Sequence, residues 1–321
     1  MRGFKQRRLS PETYHRVTDF ALGALVVIIV TGAAVRLTGS GLGCPDWPVC
    51  DKNHVVAPLE YHALVEFVNR LFTGVVSLAV IAGALGSLLR VPRRRDLTLF
   101  ASSLVLGVFA QALLGGLSVK YDLDPRFVMA HLLLSMVIVF LAVVLNHRAG
   151  QPDGPPRPIV HRDYIWLARG MFVLGAIVLF VGTMVTGSGP HAGAEDVRRL
   201  GFAPEEITKV HGLTVWLLVG LTGLTAWRLR VVQASATLVK AGEMTMLALF
   251  VQGGIGYIQY SLDVPALLVL VHVAGATAVW ILIIRFNLAM YERWDPLGVD
   301  VYDGDQPGSV SPPIGANTSP V

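Results

Sequence analysis

Histidines within apolar stretches are the residues of this chain whose chemistry is easiest to interpret. Five ionisable residues lie inside or at the outer end of such stretches: Glu66, Arg70, His131, His211 and His272. Ionisable groups are costly inside a membrane, so residues of this kind usually serve a function. Two imidazoles on separate helices can bind a haem iron from opposite sides. For a single histidine, the alternative is a hydrogen bond between helices.

An internal repeat favours haem ligation by His211 and His272. Two Gln–His pairs share a separation of twenty residues, with a glycine four residues after each glutamine: Gln111, Gly115 and His131, and Gln252, Gly256 and His272. The tetrapeptide TGSG occurs at 38–41 and again at 186–189, and the alignment pairs Asn69 with His211. The repeat predicts a duplicated four-helix unit whose halves share one orientation about an axis along the membrane normal. The repeat also places His211 and His272 at the same depth in the membrane.

The elements that must position these residues are transmembrane helices. Of 321 residues, 53% are hydrophobic and 15% charged, with a mean hydropathy of +0.59, whereas soluble domains carry about 25% charged residues. The apolar runs are continuous rather than alternating, which excludes barrel strands. They occupy 20–35, 71–89, 97–119, 128–145, 165–185, 210–226, 244–258 and 264–284. The predicted fold is an all-α integral membrane protein with eight transmembrane helices as two pseudosymmetric four-helix bundles.

The first run lacks a small-residue cleavage site, so we interpret it as a retained span.

Basic residues predict the orientation and the domain limits. Segments on the side of the termini hold sixteen Lys and Arg, and those on the opposite side hold seven, which places both termini in the cytoplasm. We predict a cytoplasmic segment at 1–15, an N-terminal half at 16–150, a C-terminal half at 163–292, and a disordered cytoplasmic tail at 293–321, which is rich in Pro, Gly, Ser and Asp. The net charge of +4 does not indicate nucleic-acid binding, because the basic residues lie between apolar spans.

Two further pairs of residues have open interpretations. Cys44 and Cys50 lie in the first outer loop, and their spacing alone fits a disulfide, a metal pair or a reactive dithiol. The oxidising side of the membrane favours the disulfide, and two thiolates alone make a poor zinc site.

Glu66 and Arg70 are spaced for an ion pair within one helix. Alternatively, Glu66 faces a cofactor cavity and Arg70 meets a haem propionate.

An ordered set of motifs resembles the heme A synthase family over residues 15–290. The motifs are TGSGLGCPDWPVC, VEFVNR, MAH in the fourth span, TGSGPHAG, KVHG and LVHVAGA. The resemblance implies two pseudosymmetric four-helix bundles, and an enzyme that oxidises the C8 methyl group of heme O to a formyl group, giving heme A for cytochrome oxidase. It also implies a bacterial plasma membrane location, and possible contacts with heme O synthase and cytochrome oxidase assembly factors.

The resemblance assigns roles to individual residues. It implies that His211 and His272 ligate a resident haem b, that His131 ligates the substrate haem in the N-terminal half, and that Glu66 is the catalytic glutamate. The chain departs from the pattern at Asn69, where many members have a histidine. His62 lies seven residues earlier on the same helical face, where it either approaches the haem or is an interfacial histidine. The outer loop after the fifth span also lacks the cysteines that some members carry.

Three other functions are compatible with parts of the pattern. A di-haem cytochrome that exchanges electrons with quinone would use the same histidines, and a reaction-product assay distinguishes it from the enzyme. A transporter would have broken helices at mid-membrane, whereas these histidines lie near the outer face. A heme O-forming prenyltransferase would need an Asp-rich pair beside a span, which the sequence lacks.

Overall fold

Eight long helices form most of the described chain. The computed structural model describes residues 8–44, 46–47, 49–50, 56–191, 193–194 and 196–294. The helices are α1 (Pro11–Leu37), α2 (Tyr61–Leu89), α3 (Arg95–Lys120), α4 (Pro125–Ala149), α5 (Arg162–Ser188), α6 (Pro204–Val231), α7 (Ala236–Ser261) and α8 (Ala266–Leu288). All eight are long and apolar enough to cross a membrane. The prediction of an eight-helix integral membrane protein is confirmed.

Local sequence signals set the helix ends. Ser10 caps α1 by accepting a hydrogen bond from the Thr13 main chain, and Asp124 caps α4 by accepting one from Arg126. A proline follows each of these caps, where its missing N–H costs nothing and its fixed φ suits a helix. The sharp α3–α4 and α7–α8 turns both place an Asp and an aliphatic residue at positive φ: Asp122 and Leu123, and Asp263 and Val264. The two turns therefore match, as the repeat predicts.

Each half of the chain is a ring of four helices. In the N-terminal half α1 packs on α2, α2 on α3, α3 on α4 and α4 on α1, and the C-terminal half packs α5 to α8 in the same order. The even-numbered helices of each half therefore lie across a diagonal. This arrangement agrees with two four-helix bundles, while the pseudosymmetry between them stays a prediction.

The two halves meet through α1 and α4 on one side and α5 and α8 on the other. At this contact the buried indole of Trp280 donates a hydrogen bond to the Met136 carbonyl, 3.0 Å away. Its ring stacks on Phe172 with 4.9 Å between centroids, and Phe140 lies 5.4 Å from Phe172. A buried aromatic group that also satisfies its polar N–H fixes one register between the halves.

A network of arginines and aspartates closes the end of the molecule that carries the termini. Arg90, only 2% exposed, donates to Asp153, and Arg94 donates to Asp96 and Asp153. This network ties the α2–α3 turn to the α4–α5 connection. Two short strands, β1 (Pro156–Pro158) and β2 (Tyr291–Arg293), pair antiparallel beside it. The strand β2 includes the first residue of the predicted tail; residues 295–321 of that prediction lie outside the described residues.

Candidate functional site

The rings of the three predicted ligand histidines lie against glycines of neighbouring odd-numbered helices. His131 on α4 faces Gly115 of α3, His211 on α6 faces Gly182 of α5, and His272 on α8 faces Gly256 of α7. A Cβ atom on these glycines would lie 3.4, 3.2 and 3.0 Å from the Cε1 atom of the respective ring. The glycines thus leave room for an imidazole between two closely packed helices.

Each of these rings keeps an unused polar atom. The Nδ1 atoms of His131, His211 and His272 are buried, and none has a hydrogen-bond partner among the described residues. The His211 ring approaches the Val178 backbone without completing a hydrogen bond of good geometry. A histidine that only joined two helices would use its ring nitrogens for that contact. Imidazoles buried without partners instead fit the ligand set of a prosthetic group, since a metal ligand uses one nitrogen for the metal and the other for orientation.

His211 and His272 lie on the diagonal pair of helices in the C-terminal half. The helices α6 and α8 lie across the diagonal of the ring and have little direct contact. A flat macrocycle between two imidazoles requires this disposition, because the ligands must approach from opposite faces. The residues therefore fit a bis-histidine haem site.

The N-terminal half has a different set of residues on its diagonal. His131 lies on α4, but the α2 position aligned with His211 holds Asn69, which accepts a 2.8 Å hydrogen bond from Thr31 of α1. His62 is exposed at the start of α2, and its Nδ1 lies 2.9 Å from the Ser40 hydroxyl. Within the described part of this half, only His131 has the burial and the glycine contact of the C-terminal histidines.

The disulfide between Cys44 and Cys50 closes a loop over the start of α2. This confirms the predicted pairing and excludes the dithiol and zinc interpretations. Gly43 permits the close approach, because a Cβ atom there would lie 2.3 Å from the His62 carbonyl oxygen. At the far side of the loop, the Trp47 ring packs on Gly116 of α3. The loop therefore contacts both α2 and α3.

Glu66 and Arg70 hold this loop from below. The Glu66 side chain is buried, and its Oε2 accepts a 2.8 Å hydrogen bond from the Cys44 main-chain N–H. Its Oε1 accepts from Arg70, which forms the ion pair expected from the spacing. The remaining guanidinium N–H groups donate to the carbonyl oxygens of Cys44, Asp46 and Val49. All five N–H groups of Arg70 are thus engaged within the protein.

The outer connections of the two halves are joined next to this loop. The Gly41 main-chain N–H donates to the Gly193 carbonyl at 2.9 Å, and Arg36 donates to the Thr186 carbonyl at 3.0 Å. The first contact joins the first TGSG segment to the loop that follows the second TGSG segment. The second contact joins the end of α1 to the second TGSG segment. The position of the disulfide loop is therefore fixed relative to the C-terminal half.

Sequence reasoning missed several residues of this site. Gly115 and Gly256 were noticed as part of the repeat, but their contact with the histidines was not predicted, and Gly182 was not noticed. Ser40 and Thr31 also went unnoticed as partners of His62 and Asn69. A search for glycines on odd-numbered spans at the depth of the histidines would have found the first group.

Fold and site together define an eight-helix integral membrane protein with buried histidines inside two four-helix bundles. The profile of the COX15-CtaA family, described as cytochrome oxidase assembly protein, matches residues 16–284. The chain belongs to this family.

Curated relatives of the chain carry the name heme A synthase. The relative from Shouchella clausii is 28% identical over 74% of this chain and 82% of its own length. The relative from Exiguobacterium sibiricum is 26% identical over 54% of this chain and 58% of its own length. The relative from Listeria welshimeri is 32% identical over 38% of this chain and 42% of its own length. The last two alignments span less than two thirds of those relatives.

Proposed function

We propose that the chain is a membrane-bound heme A synthase, which oxidises the C8 methyl group of heme O to a formyl group and so supplies heme A for cytochrome oxidase. Family membership and the names of the curated relatives support this proposal. The observation that carries it is the set of buried histidine rings with unused Nδ1 atoms. A di-haem cytochrome exchanging electrons with quinone is not favoured by the relatives.

In this proposal the C-terminal half, residues 163–292, binds haem b through His211 and His272. A haem held by two imidazoles has no open coordination position, so it supplies electron transfer rather than substrate binding at iron. Gly182 and Gly256 have no side chains, so each imidazole ring can lie directly against the backbone of the neighbouring helix. The protein contributes the rigid spacing of α6 and α8, which keeps both ligands in place.

The N-terminal half, residues 16–150, receives heme O as substrate with His131 as its ligand. An amide is a weak iron ligand, and Asn69 is already bonded to Thr31. His62 lies at the outer end of α2 and is bonded to Ser40. A site with one strong imidazole holds a haem less tightly than a site with two, which suits a substrate that must enter and a product that must leave.

Glu66 is the proposed proton acceptor in this half. If the oxygen atom came from water, conversion of a methyl group to a formyl group, by way of an alcohol and a hydrated aldehyde, would release four protons and four electrons, and the electrons would leave one at a time through haem b to an external acceptor. A buried carboxylate next to the substrate can accept such protons in turn.

The geometry also supports a second role, because Glu66 and Arg70 fix the disulfide loop. In the proposal Arg70 serves the substrate haem by holding this loop over the cavity.

The remaining proposals concern the surroundings of the enzyme. Heme O is insoluble in water, so transfer from a heme O synthase within the membrane is the expected route, and cytochrome oxidase assembly factors are the expected receivers of heme A. The bias of basic residues supports a bacterial plasma membrane location with both termini in the cytoplasm.

Haem extraction and mass analysis test the proposed activity. In cells that make heme O, we expect heme A only when this chain is expressed, while heme O remains when His211→Ala replaces it. A purified protein with a strong haem spectrum but no heme A in the cells would instead identify an electron carrier. No haem spectrum at normal protein level would contradict both functions.

A further inference from the structure

A cleft of about 390 Å³ lies between the two halves at the end of the molecule that carries the termini. It is formed by α4, α5 and α8, with β2 at its rim. Its size falls within the range of about 300–1,000 Å³ of small-molecule sites. No residue of the proposed haem sites lines it.

The cleft has an apolar deep part. Phe140, Phe172 and Ile284 line it there, and Leu288, the last residue of α8, lies at its entrance. Phe140 lies nine residues before the end of α4, and Phe172 ten residues after the start of α5, so the apolar surface reaches about 14 Å from the helix ends at 1.5 Å per residue. All three helices are long enough to cross a membrane, so the cleft extends from their ends into the membrane-spanning part of the protein.

The rim of the cleft is basic. Arg148 and Arg293 line it, and Arg169 lies about two turns further in on α5. Arg148, Arg293 and Arg94 all pair with the carboxylate of Asp96. Within the described part of the chain, no carboxylate pairs with Arg169. Burial lowers the pKa of Arg293, and the nearby Arg94 lowers it further.

The distance from the histidines argues against a redox ligand in this cleft. His147, which also lines it, lies sixteen residues after His131 on α4, about 24 Å along a helix. An electron acceptor bound here would lie far from any haem ligated at the level of His131. The combination of a basic rim and an apolar depth fits an amphiphile with a phosphate group.

We propose that the cleft between α4, α5 and α8 binds an anionic phospholipid, whose phosphate contacts Arg148, Arg169 and Arg293 and whose acyl chain lies against Phe140, Phe172 and Leu288. Basic pockets between transmembrane helices bind anionic lipid headgroups in this way. The lipid would fill the gap between the halves at the end opposite the disulfide loop.

Native mass spectrometry tests the proposal with purified full-length protein. Micelles are doped with phosphatidylglycerol or with phosphatidylcholine of the same acyl chains, and inorganic phosphate is a third arm. We expect phosphatidylglycerol to be retained at least about ten-fold more strongly than phosphatidylcholine, as expected for several basic contacts. Equal retention of the two lipids would overturn the proposal. Protection from thermal unfolding by inorganic phosphate alone, equal to that by the lipid, would also overturn it in favour of a free-anion site.

Two variants and a matched control locate the site. Arg169→Gln should lower retention of phosphatidylglycerol about five-fold, the effect of one basic residue near anionic lipid. Arg162 lies on the same helix and near the same Trp166 ring but does not line the cleft, so Arg162→Gln should leave retention unchanged. Leu288→Trp should block the apolar part and lower retention without removing a charge. Equal losses in Arg162→Gln and Arg169→Gln, or full retention in Leu288→Trp, would contradict the assignment.

Discussion

The side-chain amide nitrogen of Gln252 on α7 lies 2.8 Å from the main-chain carbonyl oxygen of His272 on α8. Gln111 on α3 makes the same contact with the His131 carbonyl at 2.9 Å. The side-chain oxygens of both glutamines are buried without a hydrogen-bond partner in the described chain. An additional hydrogen bond to a helix carbonyl fixes the rotation of that helix turn. The glutamines therefore tie the helix turns that carry two proposed ligands to the neighbouring helices.

Replacing Gln252 with Leu should alter the haem b without releasing it. The change removes one hydrogen bond, worth about 1 kcal/mol, but keeps both imidazoles. We expect a normal haem b content with a shifted midpoint potential and a shifted low-spin electron paramagnetic resonance signal. Gln111→Leu is the matched control, because it acts on His131 and should leave these two properties of haem b unchanged. Identical spectra and potentials for Gln252→Leu and the unmodified protein would refute a positioning role.

Replacing either His211 or His272 with Ala should abolish the low-spin signal of haem b. Each change removes one of two axial ligands, and a haem with a single imidazole becomes high-spin or is lost. The measurement is the absorbance and resonance spectrum of protein purified at normal yield. His62→Ala is the control, since its ring is exposed and bonded to Ser40. Unchanged spectra in both ligand variants would remove the assignment.

Gly256→Ala should displace the His272 ring. A Cβ atom there would lie 3.0 Å from Cε1 of His272, so the ring must move by a few tenths of an ångström. Gly253→Ala on the same helix meets no atom within 4 Å and should stabilise α7 by up to about 1 kcal/mol. We expect a weakened or altered haem b spectrum only in the first variant. Equal spectra would show that the ring has more freedom than the packing indicates.

Glu66→Gln should separate the two roles of this residue. The amide keeps the shape of the side chain, but its single oxygen can accept from the Cys44 N–H or from Arg70 and not from both, so protein level and haem b content are measured beside heme A. As a proton acceptor Glu66 contributes about 100-fold or more to the rate, and the variant should accumulate heme O or its hydroxylated product. As an anchor of the loop alone, it forms a buried ion pair with Arg70, whose loss should lower stability by about 3–5 kcal/mol without stopping the chemistry. Normal heme A production at normal protein level would leave only the anchoring role.

Asp124 should give α4 a stability that depends on acid pH. The hydrogen bonds from the Arg126 side chain and main chain lower the pKa of Asp124 from its ordinary 3.8 to about 2. A lowered pKa means that the charged form is stabilised in the folded state, so this contribution is complete above about pH 4 and is lost as the pH falls towards 2. Asp124→Ala should cost about 1 kcal/mol at neutral pH through the lost helix cap. Thermal unfolding in detergent at pH 7 and pH 2.5 measures both effects.

A control isolates the cap from the ion pair at this position. Asparagine is as good a helix cap as aspartate but has no charge, and Arg126 is largely exposed, so the ion pair itself contributes little. Asp124→Asn should therefore resemble the unmodified protein at pH 2.5 and be less stable than it at pH 7 only by the charge-dependent contribution. A loss as large as that of Asp124→Ala would show that charge, rather than capping, stabilises the start of α4.

The sequence was sufficient to predict the helices and several local contacts. Continuous apolar runs of membrane length admit no other backbone arrangement in lipid, and this determined all eight spans. The Cys44–Cys50 bond followed from its location, and the Glu66–Arg70 pair followed from helical periodicity. Each of these inferences depends on residues that are close in sequence or on one physical requirement of the membrane.

Contacts between distant segments could not be predicted from the same patterns. Periodicity shows which residues share a helix face, but not which helix lies opposite, so the contact of Gly182 with His211 was missed. The donation from Arg70 to three loop carbonyls depends on the path of an irregular loop. The pairing of β1 with β2 joins two short polar segments that carry no strand signal. The roles of His131, His62 and Asn69 toward a haem stay predictions.

The diagonal arrangement of α6 and α8 has a consequence for the life of the protein in the cell. The helices α6 and α8 each pack on α5 and α7 but have little contact with one another, so a haem bound by His211 and His272 would add a direct connection across the diagonal. A ligand that binds only the folded state adds free energy of folding as its concentration exceeds its dissociation constant. Under the proposed ligation, iron or porphyrin starvation would therefore loosen the C-terminal bundle and expose it to membrane proteases. The abundance of the protein would then follow haem supply without any control of its gene.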